Sequence, residues 1–313
     1  MPVNVTIKPA GRALALAKGL PVILTFDEKT AEQVTIGDVK SALQAKFPRK
    51  FSLEGSKNAL DDEKTLIETS SENKSAASGS FTLTVKDLGP QVSWRTVFLV
   101  EYAGPLIIHP LIYLFPQVFY RTTFEHSQLQ TLTYVLVLLH FLKRELETLF
   151  VHRFSHATMP LRNIFKNSAH YHILSGILLA GGVYGPWYSR KALAGSLRAN
   201  PTFLAACTGV WLVAEALNFH AHLTVRNLRP AGTKTRGIPR GGLFELVSVP
   251  NYFTEVVAWT AITVMTQSPF AVLFLVVSTG QMAIWAAKKH RGYKKEFGSN
   301  YPKGRKAMFP FIF

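Results

Sequence analysis

Past residue 92 the chain is a succession of apolar runs, and that fact restricts its fold more than any other. Six runs stand out, at about 95–115, 128–150, 169–188, 202–223, 246–266 and 269–287. Each approaches the roughly 20 residues that cross a hydrocarbon core. In lipid, a run of that length must satisfy its own backbone, so it spans as a helix unless it closes into a barrel. Residues 87–313 are therefore expected to form an all-α polytopic membrane protein with six or seven transmembrane helices. The last two runs are separated only by Gln267-Ser268-Pro269, a tight hairpin.

The net charge of +16 belongs to the same pattern. Basic residues concentrate in the short segments after the second and fourth runs and in the tail after the sixth, sixteen of them against four on the opposite side. Such a bias sets orientation, with the basic side cytosolic. It argues for a lipid bilayer as partner and against nucleic acid. An even number of spans places both ends of the chain on the cytosolic side. The first thirty residues lack a charged start followed by a long apolar core, so insertion is expected from an internal segment. The single cysteine, Cys207, lies in an apolar run and permits no internal disulfide framework.

Residues 1–86 read differently. Val3, Val5 and Ile7 alternate with polar residues, as a half-buried strand does. Pro21 to Phe26 reads as a second strand, and Thr35-Ile36-Gly37-Asp38 as a capping box opening a helix through about Phe47. Leu53, Leu60 to Leu66 and Phe81 to Val85 complete a strand–strand–helix–strand order. That order resembles a small α+β ubiquitin-like β-grasp domain, with a mobile loop expected from Ser70 to Ser80.

The chemistry is expected where polar groups interrupt apolar runs, because such groups are expensive in a bilayer and mark functional sites. Glu101 lies inside the first run. Asn251 and Glu255 open the fifth, four residues apart and hence on one helix face. Glu215, Asn218 and His222 share a face near the end of the fourth. That face suits a ribose, phosphate or amide ligand, and equally suits hydrogen bonding between helices. Lys143 and Arg144 end the second run beside Glu145 and Glu147. They read either as interfacial ion pairs or as a basic wall for an anionic group. The histidine pairs 152/156, 170/172 and 220/222 lack the spacing of a di-iron oxygenase, two of the three being i, i+2, so no metal site is expected.

Two features are more specific: the Asn-x-x-x-Glu at 251–255, and a basic, aromatic tail containing Tyr293, Tyr301-Pro302 and Arg305-Lys306-Ala307. Together they resemble the steroid 5α-reductase superfamily over residues 92–313. The added N-terminal domain makes the chain similar to the superfamily's enoyl-CoA reductases over nearly its whole length. The resemblance implies NADPH held on the cytosolic side by Asn251, Glu255, Tyr293, Asn218 and Arg153. His222 and His152 stand where the steroid enzymes have an acidic residue and an Asn. It also implies reduction of the trans-2 double bond of very-long-chain enoyl-CoA in the endoplasmic reticulum, beside other enzymes of fatty-acid elongation. A steroid or polyprenol reductase of the same superfamily, or a non-catalytic membrane scaffold, are the alternatives.

One departure bears on the acid. Glu101 matches the steroid enzymes' catalytic Glu, but their partner Tyr is Phe141 here, which has no proton to give. Tyr252 follows Asn251 where those enzymes carry an apolar aromatic. Reduction of a conjugated thioester needs hydride at the β-carbon, a proton at the α-carbon and a donor for the developing oxyanion. A phenol of ordinary pKa about 10 suits the protonation. Tyr252 is thus the expected acid, Glu101 an orienting or relaying group, and Lys143 and Arg144 the candidates for anionic groups of the substrate or cofactor.

Overall fold

A computed structural model describes residues 2–9, 19–47, 51–54, 64–67, 80–154, 158–230 and 237–313. It divides into two compact units, Met1–Val92 with Thr158–Leu161, and Ser93–Ala157 with Arg162–Phe313.

In the first unit, strands β1 (Val3–Pro9), β2 (Val22–Phe26), β3 (Phe51–Glu54) and β4 (Ser80–Asp87) form one mixed sheet in the order β2-β1-β4-β3. β1 runs antiparallel to β2, with Val3 opposite Phe26, and parallel to β4, with Ile7 opposite Leu83. The alternation read from the sequence has its cause here. Val3, Val5, Ile7, Leu24, Leu53, Phe81, Leu83 and Val85 point to one face, where they meet Ile36, Val39 and Leu43 of helix α1 (Ile36–Lys46). Thr35 caps α1: its hydroxyl accepts from the Asp38 N–H, and the Asp38 carboxylate accepts from the Thr35 N–H. Of the loop expected from Ser70 to Ser80, Ser80 instead opens β4 and the rest lies outside the described residues, as do the basic residues Lys234 and Arg236.

The second unit is helical. Its main elements are α2 (Trp94–Leu114), α3 (Gln128–Phe150), α4 (Arg162–Ala169), a π-helix (His170–Leu178), α5 (Pro201–Leu228), α6 (Pro250–Thr266) and α7 (Pro269–Phe297). Among the described residues three stretches are long and apolar enough to cross a membrane: Trp94–Leu114, Pro201–Leu228 and Pro269–Asn300. The other three expected spans differ for physical reasons. α3 has the length, but its last two turns carry Lys143, Arg144, Glu145 and Glu147. α6 has 17 residues. The run at 169–188 is not one helix: its first half is the π-helix, Leu179–Val183 is α-helical, and Gly185-Pro186 turns the chain into a 3-10 segment.

Close approach of the helices rests on small side chains. Ala214 of α5 and Ala258 and Ala261 of α6 are buried in one core with Trp211, Trp259 and Ile262, as helices packed in a bilayer favour. Gly104 of α2 is required by contact: a Cβ there would overlap the His172 ring, whose Nε2 hydrogen-bonds the Val100 carbonyl at 2.9 Å. The tail is tied to the entry of α6. Lys306 N–H donates to the Leu246 carbonyl and its own carbonyl accepts from Ser248 N–H. The Ser248 hydroxyl meets Tyr301 OH and His290. The buried Arg305 donates to the Pro239 carbonyl.

Candidate active site

The polar residues that sequence spacing put on separate helix faces converge. On α3, His140, Lys143, Arg144 and Glu147 follow at i, i+3, i+4 and i+7 and form one stripe. Glu215, Asn218 and His222 form a stripe on α5, and Asn251, Glu255 and Trp259 one on α6. The helices bring these stripes together in two linked networks.

His140 is the hub of the first. Its Nδ1 lies 2.8 Å from Glu215 Oε1, and its Nε2 lies 3.1 Å from Glu255 Oε1. A neutral imidazole carries one N–H and can serve only one of these oxygens as donor; with a carboxylate at each nitrogen the geometry is that of an imidazolium. Lys143 Nζ reaches Glu215 Oε2 at 2.6 Å and donates to Asn218 Oδ1 at 2.7 Å. The Asn218 amide donates to the Asn251 carbonyl at 2.8 Å and to Glu255 Oε2 at 3.3 Å. Trp259 Nε1 donates to Glu255 Oε1 at 3.3 Å. Charged groups buried this deeply persist only when paired, and this set is paired across three helices.

The second network lies one turn further along α3. Arg144 donates to Glu147 Oε2 at 2.6 Å and to the Tyr102 hydroxyl at 3.0 Å. His222 Nδ1 stands 3.2 Å from Glu147 Oε2 and 2.8 Å from His152 Nε2. Burial, and next the positive charge of Arg144, hold the His152 imidazole far below its ordinary range, so it is neutral. Distant in sequence, His152 and His222 are joined by the fold with Glu147, all three offering ligand atoms within 4.8 Å of one another. Arg144 already occupies Glu147 Oε2 and sits 3.2 Å from His222 Nδ1. A metal cation there would face that guanidinium, so the trio reads as a hydrogen-bonded network.

Glu101, Tyr102 and Phe141 form the adjoining wall. Glu101 is 1% exposed, and its Oε1 has no partner among the described residues. Tyr102 and Phe141 pack ring to ring at 6.2 Å.

The remaining sequence-derived candidates sit elsewhere. Tyr252 projects toward α7, in a cluster with Val249, Met282, Ala286 and Met308. Lys289 Nζ stands 4.7 Å from its ring centroid. Tyr293 stacks on Tyr301 at 5.6 Å in the tail. Arg153 is exposed, and its carbonyl accepts from Arg229 at 3.1 Å. Glu147 was read from sequence only as an interfacial ion-pair partner, which it is for Lys143 at 3.6 Å, and the pairing role of His140 was not singled out. The signal for both was present in the i, i+3, i+4, i+7 spacing of charges along α3.

A buried acid–base network spanning several helices, in a chain with membrane-length apolar helices, is the make-up of an integral-membrane enzyme. Comparison with known proteins agrees. A family model described as 3-oxo-5-alpha-steroid 4-dehydrogenase matches residues 157–313. A putative enoyl reductase of Schizosaccharomyces pombe is 48% identical over 251 residues, 80% of this chain and 83% of that protein. The very-long-chain enoyl-CoA reductase of Dictyostelium discoideum is 39% identical over 295 residues, 90% and 93% of the two chains. A probable very-long-chain enoyl-CoA reductase of Caenorhabditis elegans is 40% identical over 239 residues, 74% and 75%. The chain belongs to the steroid 5α-reductase superfamily, alongside these enoyl-CoA reductases.

Proposed function

We propose that the protein reduces the trans-2 double bond of very-long-chain enoyl-CoA with NADPH, closing each turn of fatty-acid elongation in the endoplasmic reticulum membrane. The observation that carries this reading is the buried His140–Glu215–Glu255–Asn218–Lys143 network in a chain whose relatives bear enoyl-CoA reductase names. The donor set fits the cofactor. Glu255 offers carboxylate oxygens as acceptors to a carboxamide, and Glu101 Oε1 is a buried acceptor still open. The basic segments around Arg153, Arg226 and Lys289 suit phosphates.

When bound, NADPH supplies a hydride for the β-carbon. The chain's residues do the rest. Asn251, Glu255 and Asn218 hold the nicotinamide end, with His222, His152, Arg153 and Tyr293 toward the ribose and phosphates. Lys143, with its side chain 21% exposed against 13% for Arg144, is the cation better placed to meet an anionic group. Arg144 is held on three sides by Glu147, His222 and Tyr102. Tyr252 gives its phenolic proton to the α-carbon, and Glu101 orients the reacting end. An apolar helical setting suits the acyl chain, since each buried methylene gains about 0.8 kcal/mol.

The same reading takes the second unit as six membrane spans with both ends cytosolic. It takes the first unit as a ubiquitin-like β-grasp domain, supported by the central parallel β1/β4 pair and by α1 between β2 and β3. Other elongation enzymes are the proposed partners. The test is NADPH oxidation by the purified chain in detergent with a long-chain trans-2-enoyl-CoA. Turnover is expected, falling at least about a hundredfold in Tyr252→Phe with NADPH affinity retained. Reduction of a steroid or polyprenol with no turnover of enoyl-CoA would refute the substrate; no NADPH binding by folded protein would refute the reductase.

A further inference from the structure

The wall beside Glu101 holds a phenol that the reading above leaves unused. Tyr171 is the second residue of the π-helix His170–Leu178. A π-helix is costly to form and is frequently found at functional sites. This one turns the Tyr171 ring edge-on to Tyr102, at 5.2 Å and 85°, and edge-on to Phe141, at 6.2 Å and 88°. Glu101, Arg144 and Glu255 are all within electrostatic reach. The hydroxyl itself has no hydrogen-bond partner among the described residues. That sets it apart from its neighbours: the Tyr102 hydroxyl is taken by Arg144 and the Tyr184 hydroxyl by His109.

Two polar groups are therefore left open on one wall, a donor on Tyr171 and an acceptor at Glu101 Oε1. We propose that Tyr171 is a catalytic residue of the reduction, donating its O–H to the thioester oxygen of the enoyl-CoA as that oxygen gains charge. The phenol absent at Phe141 is returned by its edge-on neighbour. Tyr171 keeps its proton in this role. The proton reaching the α-carbon comes from the acid of the reaction, so Tyr171 stabilises the oxyanion and does not replace that acid. The inference rests on the enoyl-CoA reading and adds to it the group that meets the carbonyl.

The test compares wild-type protein with Tyr171→Phe, which keeps the ring and its packing. Loss of one oxyanion donor is expected to lower kcat on the order of a hundredfold, with NADPH affinity and melting temperature unchanged. Phe141→Tyr in the Tyr171→Phe background, which sets a phenol on the adjacent ring, is expected to recover part of that loss. A second readout needs no cofactor. Affinity for a saturated long-chain acyl-CoA should fall about fivefold, as for one neutral hydrogen bond, while affinity for free coenzyme A, which lacks the carbonyl, stays as in the wild type. Wild-type kcat in Tyr171→Phe would overturn the proposal. So would a loss of kcat matched by a loss of NADPH binding or of melting temperature. If wild-type protein fails to reduce enoyl-CoA at all, it is the function above that falls. An unchanged acyl-CoA affinity in Tyr171→Phe would still sink the carbonyl contact by itself.

Discussion

Glu215 shows how much one side chain can hold here. It meets His140 at 2.8 Å and Lys143 at 2.6 Å. Removing it leaves His140 with Glu255 alone, and Lys143 with Asn218 and the more distant Glu147 at 3.6 Å. Breaking a buried pair from one side costs about 3–5 kcal/mol, so Glu215→Ala should lower the melting temperature markedly in detergent; a variant as stable as wild type would refute the pairing. His152 gives a pH prediction. Its folded pKa lies far below the unfolded value of 6.5, so between the two values the unfolded chain takes up a proton that the folded chain refuses. Stability is full above pH 6.5 and falls as pH drops, by about 2 kcal/mol on reaching pH 5. Chemical unfolding at pH 7 and pH 5 should show a smaller decline in His152→Gln than in wild type.

At the level of elements, the face pattern was legible where spacing is helical and the residue type is conspicuous. Glu215 and Asn218 meet in one network as their i, i+3 spacing suggested, whereas His222 enters the second network and Asn251 is engaged through its backbone carbonyl. What was not legible depends on departures from the α-helical period. The π-helix at His170–Leu178 alters the phase of Tyr171 and His172 relative to α2, and a wheel drawn with 3.6 residues per turn misplaces them. The same juncture explains Gly104. Gly104→Ala drives a methyl group into the His172 ring, and overpacking of this kind costs about 1–3 kcal/mol. The variant is expected to unfold at lower temperature and to lose activity, with partial recovery when His172 is made smaller.

For the whole molecule, the charge asymmetry carries a topological prediction. In sealed microsomes, tags at either end should be open to protease added outside, while one in the Arg190–Leu193 segment should be protected; the reverse pattern would overturn the orientation. The sequence by itself determined three of the six expected membrane-length apolar helices, the alternating core of the N-terminal sheet and the capped helix α1. It also determined which polar residues interrupt the apolar runs. Those follow from periodicity and from the expense of polar groups in apolar surroundings, which are local properties. Only the tertiary structure decided which of these residues meet. It placed His140 between two carboxylates, brought His152 to His222, turned Tyr252 toward α7 and set Tyr171 against Phe141. Each of these depends on crossing helices and on one stretch wound off the α-helical period, and contacts between elements distant in sequence leave no spacing to read.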